Sequence, residues 1–195
     1  MTDSIIPISS PRHLRRVLES HGVDTDPWGG PGAQPVSDLW EEIQQGECRI
    51  EDDPFCRKVW VTEVLIRQHG GALIEAEQRL QDGTSIERRL LPAEKMKTDE
   101  PCKQAARRCL AEEMELDDDD IYQLEYLLTR ETDFIESPSY PGLWSVYHIH
   151  RVRAEITPLP EDGFWTAERG GDAHDNVAWH RWEWVDPDEV TAGGG

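Results

Sequence analysis

The sequence is poor in basic residues, in cysteine and in long apolar runs, and each shortage excludes a class of protein. Among 195 residues, 20 are Lys or Arg and 40 are Asp or Glu, so the formal net charge is −20. A surface this acidic repels phosphate, which argues against a protein that coats nucleic acid. A small nucleotide held through a divalent cation remains compatible with this charge, because the cation reverses the local electrostatics.

Segments that would direct the chain to or through a membrane are also missing. No stretch approaches the roughly 18 uncharged apolar residues that a spanning helix needs, and the acidic Asp3 is not typical of a secretory signal. The four cysteines, Cys48, Cys56, Cys102 and Cys109, form no CxxC pair and give no zinc signature. We therefore expect reduced thiols, a cytoplasmic location and no membrane partner.

In contrast to these shortages, the sequence has many aromatic side chains. It contains eight Trp, four Tyr and three Phe, which supply large surfaces for a core. A disordered acidic chain would lack them. Together with the length, they predict an ordinary folded domain with a heavily charged surface.

The order of the sequence patterns predicts a mixed α/β fold. Residues 1–55 carry two helical patterns and are predicted to form an N-terminal helical extension, with Ser10 as the first N-cap. Residues 56–190 are predicted to form the main domain, with a central helix at 101–115 and a terminal helix after Asp186, and 191–195 a disordered tail. An Asp82-Gly83 hairpin turn is expected. The predicted strands are 59–66, 71–80, 85–91, 121–128, 144–156 and 179–185.

The motif that carries chemistry lies between Leu91 and Leu116. On the predicted helix, positions 109, 112 and 113 fall on one face, because they are three and four residues apart. The segment resembles the Nudix box, whose pattern is Gly, five residues, Glu, seven residues, Arg-Glu, apolar, any, Glu-Glu, any, Gly, apolar. Glu100 takes the first Glu position, Arg108 the Arg position, and Glu112 and Glu113 the paired Glu positions.

This resemblance covers roughly residues 58–190 and implies a fold, an activity and a cofactor. The fold would be a Nudix-type α/β/α sandwich with a mixed sheet. The activity would be hydrolysis of a nucleoside diphosphate linked to another moiety, with Mg²⁺ or Mn²⁺ as the cofactor. The resemblance implies Glu112, Glu113 and Arg108 as catalytic residues, with Arg108 orienting the carboxylates. Glu112, Glu113 and Glu100 would be the metal residues.

Three positions depart from the family's pattern. Glu94 and Glu115 stand where the box has glycine, so we expect an altered loop geometry or a positive φ that is forced at some cost. Cys109 stands where the box has the Glu after Arg. A thiol there removes one charge and one hard metal ligand, and it is more typical of a small buried hydrophobe.

These departures leave several functions open. A general base would have to come from outside the box, and Asp133, Glu136 and Glu168 are the candidates. The alternative to a hydrolase is a catalytically inactive Nudix-fold module that binds a nucleotide or a protein partner. A weaker alternative is a structural subunit whose Trp-rich face docks on a basic partner.

Two histidine-containing strands offer weaker signals. His148 and His150 share a face, as metal-binding pairs do, but alternation in a half-exposed strand explains them equally well. His180, Trp182 and Trp184 also share a face, which is predicted to line a core rather than to stack on a base.

Overall fold

The computed structural model describes residues 5–169 and 177–192. Within these ranges the fold is mixed α/β with a ten-stranded sheet, which confirms the predicted fold class at that level. The helices are α1 (Pro11–Ser20), α2 (Val36–Gln45), α3 (Cys102–Met114) and α4 (Pro187–Ala192). The strands are β1 (Cys48–Asp52), β2 (Phe55–Gln68), β3 (Gly71–Leu80), β4 (Ser85–Leu90), β5 (Ala93–Lys95), β6 (Ile121–Glu131), β7 (Ile135–Glu136), β8 (Trp144–Ile156), β9 (Phe164–Ala167) and β10 (Val177–Val185).

The chain divides into two compact units, and the first contains α1, α2 and β1. This unit comprises Met1–Val61, Lys95–Glu100 and Thr129–Ile149. Helix α1 begins at the predicted N-cap, where Ser10 Oγ accepts a hydrogen bond from the His13 N–H at 3.1 Å. Helix α2 ends at Gly46 in the left-handed conformation that glycine favours. Both predicted helices are confirmed, but the segment predicted as a helical extension also contains β1, which pairs antiparallel with β2.

A buried cluster of charged side chains lies inside the first unit. Glu42 on α2 forms an ion pair with Arg57 on β2, and both side chains are largely buried. Lys95 Nζ lies 2.6 Å from Glu42 Oε1, and the Tyr140 hydroxyl donates to the same oxygen at 3.2 Å. Burial alone would raise the pKa of Glu42, but the charges of Arg57 and Lys95 lower it below its usual value. The carboxylate is therefore ionised and paired.

The second unit comprises Thr62–Glu94, Pro101–Leu128 and His150–Gly195. In it β10 pairs antiparallel with both β3 and β9, and β3 pairs with β4 across the predicted Asp82-Gly83 turn. Helix α3 places its apolar face in a core with residues of β3, β10 and neighbouring strands. The members of this core on α3 are Ala106, Cys109, Leu110 and Met114. Trp182 on β10 is fully buried in the same core and Trp184 packs against it, as predicted, whereas His180 on that face contacts the carboxylates of Glu75 and Glu168.

The remaining differences from the predicted elements are small. Strands β5, β7 and β9 were not predicted, and each has only two to four residues. Helix α4 begins after Asp186 as predicted and extends to Ala192, whereas residues 193–195 of the predicted tail lie outside the described residues. None of the helices in the described ranges combines the length and the apolar character that a membrane-spanning helix requires.

Candidate metal centre

Helix α3 is tied to β9 at its last turn, which fixes the position of the paired glutamates. The Thr166 hydroxyl donates a hydrogen bond to the Glu113 carbonyl oxygen, and it accepts one from Trp182 Nε1 at 2.7 Å. The Arg169 N–H donates to the Glu112 carbonyl oxygen at 2.9 Å. These bonds satisfy carbonyls that a helix C-terminus otherwise leaves without partners, and they hold the end of α3 against the strand.

Three side chains of the second unit form a group of potential metal ligands. Glu75 on β3, Glu113 on α3 and His180 on β10 each offer a ligand atom, and these atoms lie within 4.8 Å of one another. Glu75 is 3% exposed, His180 is 2% exposed and Glu113 is partly buried. Carboxylate oxygens and an imidazole nitrogen are donor types that bind divalent metal ions in proteins. The site is therefore a candidate metal centre.

His180 lies between two carboxylates within this group. Its Nδ1 is 2.5 Å from Glu75 Oε1, and its Nε2 is 2.8 Å from Glu168 Oε2. The other Glu75 oxygen accepts a hydrogen bond from Arg88 Nε at 3.1 Å. Every polar atom of the imidazole and of the Glu75 carboxylate thus has a defined partner. These contacts fix the orientation of both side chains.

The titration behaviour of the group reflects an excess of buried negative charge. Burial raises the pKa of Glu113 well above its usual value, and the neighbouring charge of Glu75 raises it further. Burial alone would lower the pKa of His180, but hydrogen bonds to Glu168 and Glu75 and the charge of Glu113 raise it to about 10. Three carboxylates surround one imidazole, so the positively charged form of His180 is stabilised.

Arg108 contacts two glutamates beside this group. Its Nη1 lies 3.0 Å from Glu94 Oε1 and 3.6 Å from Glu112 Oε2, with Glu112 one helical turn further along α3. The two contacts agree with an orienting role for Arg108, which stays a prediction. Glu94 occupies the first glycine position of the box pattern, and here its carboxylate pairs with Arg108.

The structure gives Cys109 a packing position. Its side chain is 0% exposed and belongs to the core of the second unit. Burial raises the pKa of the Cys109 thiol well above its usual value, and the charges of Glu113, Glu94 and Glu75 raise it further. The thiol is therefore protonated at neutral pH and inert as a nucleophile. The prediction of a small buried hydrophobe is confirmed.

Glu115, at the second glycine position, adopts the conformation for which glycine is favoured. It is the C-cap of α3 with φ of 60°. Its carboxylate lies 2.7 Å from Arg169 Nη2 and accepts a hydrogen bond from the Ala167 N–H at 3.3 Å. Glu115 therefore has the positive φ that was expected at this position, and its side chain contacts the last residue of β9 and Arg169 beyond it.

The other predicted site residues are divided between the chain's two units. Glu100 belongs to the first unit, where its Oε2 accepts a hydrogen bond from the Lys97 N–H at 2.9 Å. Asp133 and Glu136 also belong to the first unit, whereas Glu168 contacts His180 in the second. The roles of Glu100 and Glu112 as metal residues, and of any of these carboxylates as a base, stay predictions.

Two residues of the candidate metal centre were missed as metal ligands. Glu75 is one charged residue within a strand pattern, and nothing local in the sequence marks it. His180 was noted only for the face it shares with Trp182. Both join Glu113 through the pairing of β3 with β10, which the sequence pattern does not reveal. The other predicted histidine candidate, His148, lies 3.0 Å from Glu131 and stacks on Trp60 in the first unit.

The sequence matches no known protein-family model, and no curated protein matches it.

Proposed function

We propose that the protein is a metal-dependent hydrolase of the Nudix type that cleaves a nucleoside diphosphate linked to another moiety. The observation that carries the proposal is the position of Glu113. It lies on the helix whose sequence resembles the Nudix box, and its carboxylate falls within 4.8 Å of ligand atoms of Glu75 and His180. The proposed fold is the Nudix-type α/β/α sandwich, a finer statement than the mixed α/β fold described above.

The donor set fits a divalent cation such as Mg²⁺ or Mn²⁺. Glu113, Glu75 and His180 would hold it, because carboxylate oxygens and an imidazole nitrogen are donors for such an ion. Such an ion, when bound, neutralises negative charge that develops on diphosphate oxygens during hydrolysis. This local positive charge also lets an anionic substrate approach a protein with a net charge of −20.

In this reaction the protein's own side chains would hold the glutamates of the site in position. Water attacks one phosphorus, the bond to the bridging oxygen breaks, and two monophosphate products leave. Arg108 contacts Glu94 and Glu112 through its guanidinium and would hold their carboxylates in fixed positions. The bonds from Thr166 and Arg169 to the last turn of α3 keep Glu113 in place.

The test is hydrolysis of a panel of nucleoside diphosphate derivatives, dinucleotides and nucleoside triphosphates with Mg²⁺ or Mn²⁺. We expect metal-dependent turnover that falls by at least about 100-fold in Glu113→Gln, since even groups that only support a metal ligand contribute up to about 100-fold. Glu87→Gln is the matched control, because Glu87 is an exposed residue of β4 in the same unit. Absence of turnover on the whole panel, or equal turnover in wild type and Glu113→Gln, would contradict the proposal.

A catalytically inactive module is the second candidate function. The observation that favours it is Cys109, a buried thiol at a position where the family's pattern has a glutamate. The box helix therefore has one carboxylate fewer than that pattern. In that case the protein would bind a nucleotide or a protein partner without turnover. Saturable nucleotide binding with no hydrolysis at high enzyme concentration would support this candidate over the hydrolase.

A further inference from the structure

The contact between Glu168 and His180 determines which ring nitrogen is available to a metal. Histidines that bind metals generally donate their other ring N–H to a carboxylate or carbonyl, which fixes the tautomer. Glu168 occupies that position here, 2.8 Å from Nε2, and its side chain is 9% exposed. Glu168 therefore leaves Nδ1, which lies 2.5 Å from Glu75 Oε1, as the ring nitrogen that can bind a metal once its proton is displaced.

The chemistry of the resulting donor set discriminates between metal ions. Mg²⁺ prefers an octahedral shell of oxygen atoms and keeps several waters. An imidazole nitrogen together with carboxylate oxygens suits first-row transition metals better, and affinity rises from Mn²⁺ toward Zn²⁺. We propose that Glu75, Glu113 and His180 bind a first-row transition-metal dication, such as Mn²⁺ or Zn²⁺, in preference to Mg²⁺. This inference rests on the proposed function and specifies its metal.

Burial and packing support this ligand set. Glu75 and His180 are almost wholly buried, and Arg88 Nε donates to the second oxygen of Glu75, so both side chains are oriented before an ion binds. The family's additional carboxylate is missing at Cys109, and His180 supplies a third ligand from β10 instead. A metal ion held by both side chains would displace the proton shared by Nδ1 and Glu75.

The experiment measures binding of Mg²⁺, Mn²⁺ and Zn²⁺, each alone, to the full chain after treatment with a chelator. Calorimetric titration gives the affinities, and metal analysis after dialysis gives the stoichiometry. We expect one ion per chain, with Mn²⁺ and Zn²⁺ bound at least about tenfold more tightly than Mg²⁺. His180→Gln removes the nitrogen donor and abolishes this preference. Glu168→Gln leaves all three ligands in place, and it should weaken Mn²⁺ binding by about 10- to 100-fold.

A histidine elsewhere in the chain provides a matched control. His148→Gln changes a histidine of the first unit and should leave metal binding unchanged. Equal affinity for Mg²⁺ and Mn²⁺, unchanged Mn²⁺ binding in a folded His180→Gln or Glu168→Gln, or no metal binding at all would each overturn the inference. Hydrolysis that needs only Mg²⁺ and persists in His180→Gln would refute this inference while the proposed function stands. Selective Mn²⁺ or Zn²⁺ binding without turnover on any substrate would refute the proposed function while this inference stands.

Discussion

Replacing Cys109 by glutamate restores the carboxylate that the Nudix box has after its arginine, yet the structure predicts loss of stability. The Cys109 side chain is 0% exposed and lies in the apolar core with Leu110 and Met114. A buried carboxylate without a partner costs about 3–5 kcal/mol, and the larger side chain adds about 1–3 kcal/mol of overpacking. Nearby Glu113 and Glu75 oppose a further negative charge. Domains are typically stable by only about 5–15 kcal/mol. A loss of this size should leave the variant partly unfolded or close to unfolding.

The measurement is urea unfolding followed by tryptophan fluorescence for wild type, Cys109→Glu and Cys109→Gln. Glutamine has the size of glutamate without its charge, so the difference between the two variants isolates the charge. We expect Cys109→Glu to be less stable than Cys109→Gln, with no gain in metal-dependent hydrolysis for either variant. The reasoning is refuted if the two variants agree within about 1 kcal/mol and Cys109→Glu also gains turnover, because a carboxylate at 109 would then reach solvent or metal.

Two further predictions concern the first unit's ion pair and the end of α3. Arg57→Met leaves the Glu42 carboxylate in a buried site with less compensation and should lower the free energy of unfolding by about 3–5 kcal/mol, measured by urea denaturation. The folded-state pKa of Glu42 lies below its usual value of 4.5, so this pairing stabilises wild type above about that pH. It is lost as pH falls through the folded pKa, and a pH series in which Arg57→Met and wild type lose stability in parallel below pH 4.5 would contradict the assignment. Glu115→Gly and Glu115→Ala both lose the contact to Arg169, but only glycine adopts the positive φ at this position without strain. Gly should therefore be more stable than Ala by about 1 kcal/mol, and the opposite order in thermal unfolding would show that position 115 carries no backbone strain.

Local sequence patterns predicted the elements in which apolar residues recur with one helical or strand period over a long run. Helix α3 was predicted because Ala106, Cys109 and Leu110 recur at helical spacing, and the structure buries that stripe. Strand β8 was predicted with the bounds that the structure gives, since its apolar residues alternate over Trp144–Ile156. Strand β1, with the sequence Cys-Arg-Ile-Glu-Asp, lacks such a run, and its strand conformation depends on pairing with β2. Propensity alone does not decide such a short polar strand.

The candidate metal centre could be predicted only in part, for a related reason. Glu113 lies in a motif of fixed spacing on one helix, so its chemistry is visible in the sequence. Glu75 and His180 are 105 residues apart and become neighbours only because β3 and β10 pair. Contacts of this kind depend on register between distant strands, and a shift of one residue would turn either side chain to the opposite face. Sequence spacing therefore cannot identify these two ligands.

The burial of Cys109 and the presence of His180 in the group are linked by the packing of the second unit. Helix α3 directs position 109 into a core that also contains Trp182, where an added carboxylate would be desolvated beside the carboxylates of Glu113 and Glu75. Position 113, one turn further on, lies at the edge of that core, where β3 and β10 supply Glu75 and His180. The same packing that excludes a third carboxylate from the helix thus places a nitrogen donor beside Glu113. A change from an all-oxygen set to a mixed oxygen and nitrogen set alters which metal is preferred, so the departure at Cys109 argues for a different metal preference rather than for a missing metal site.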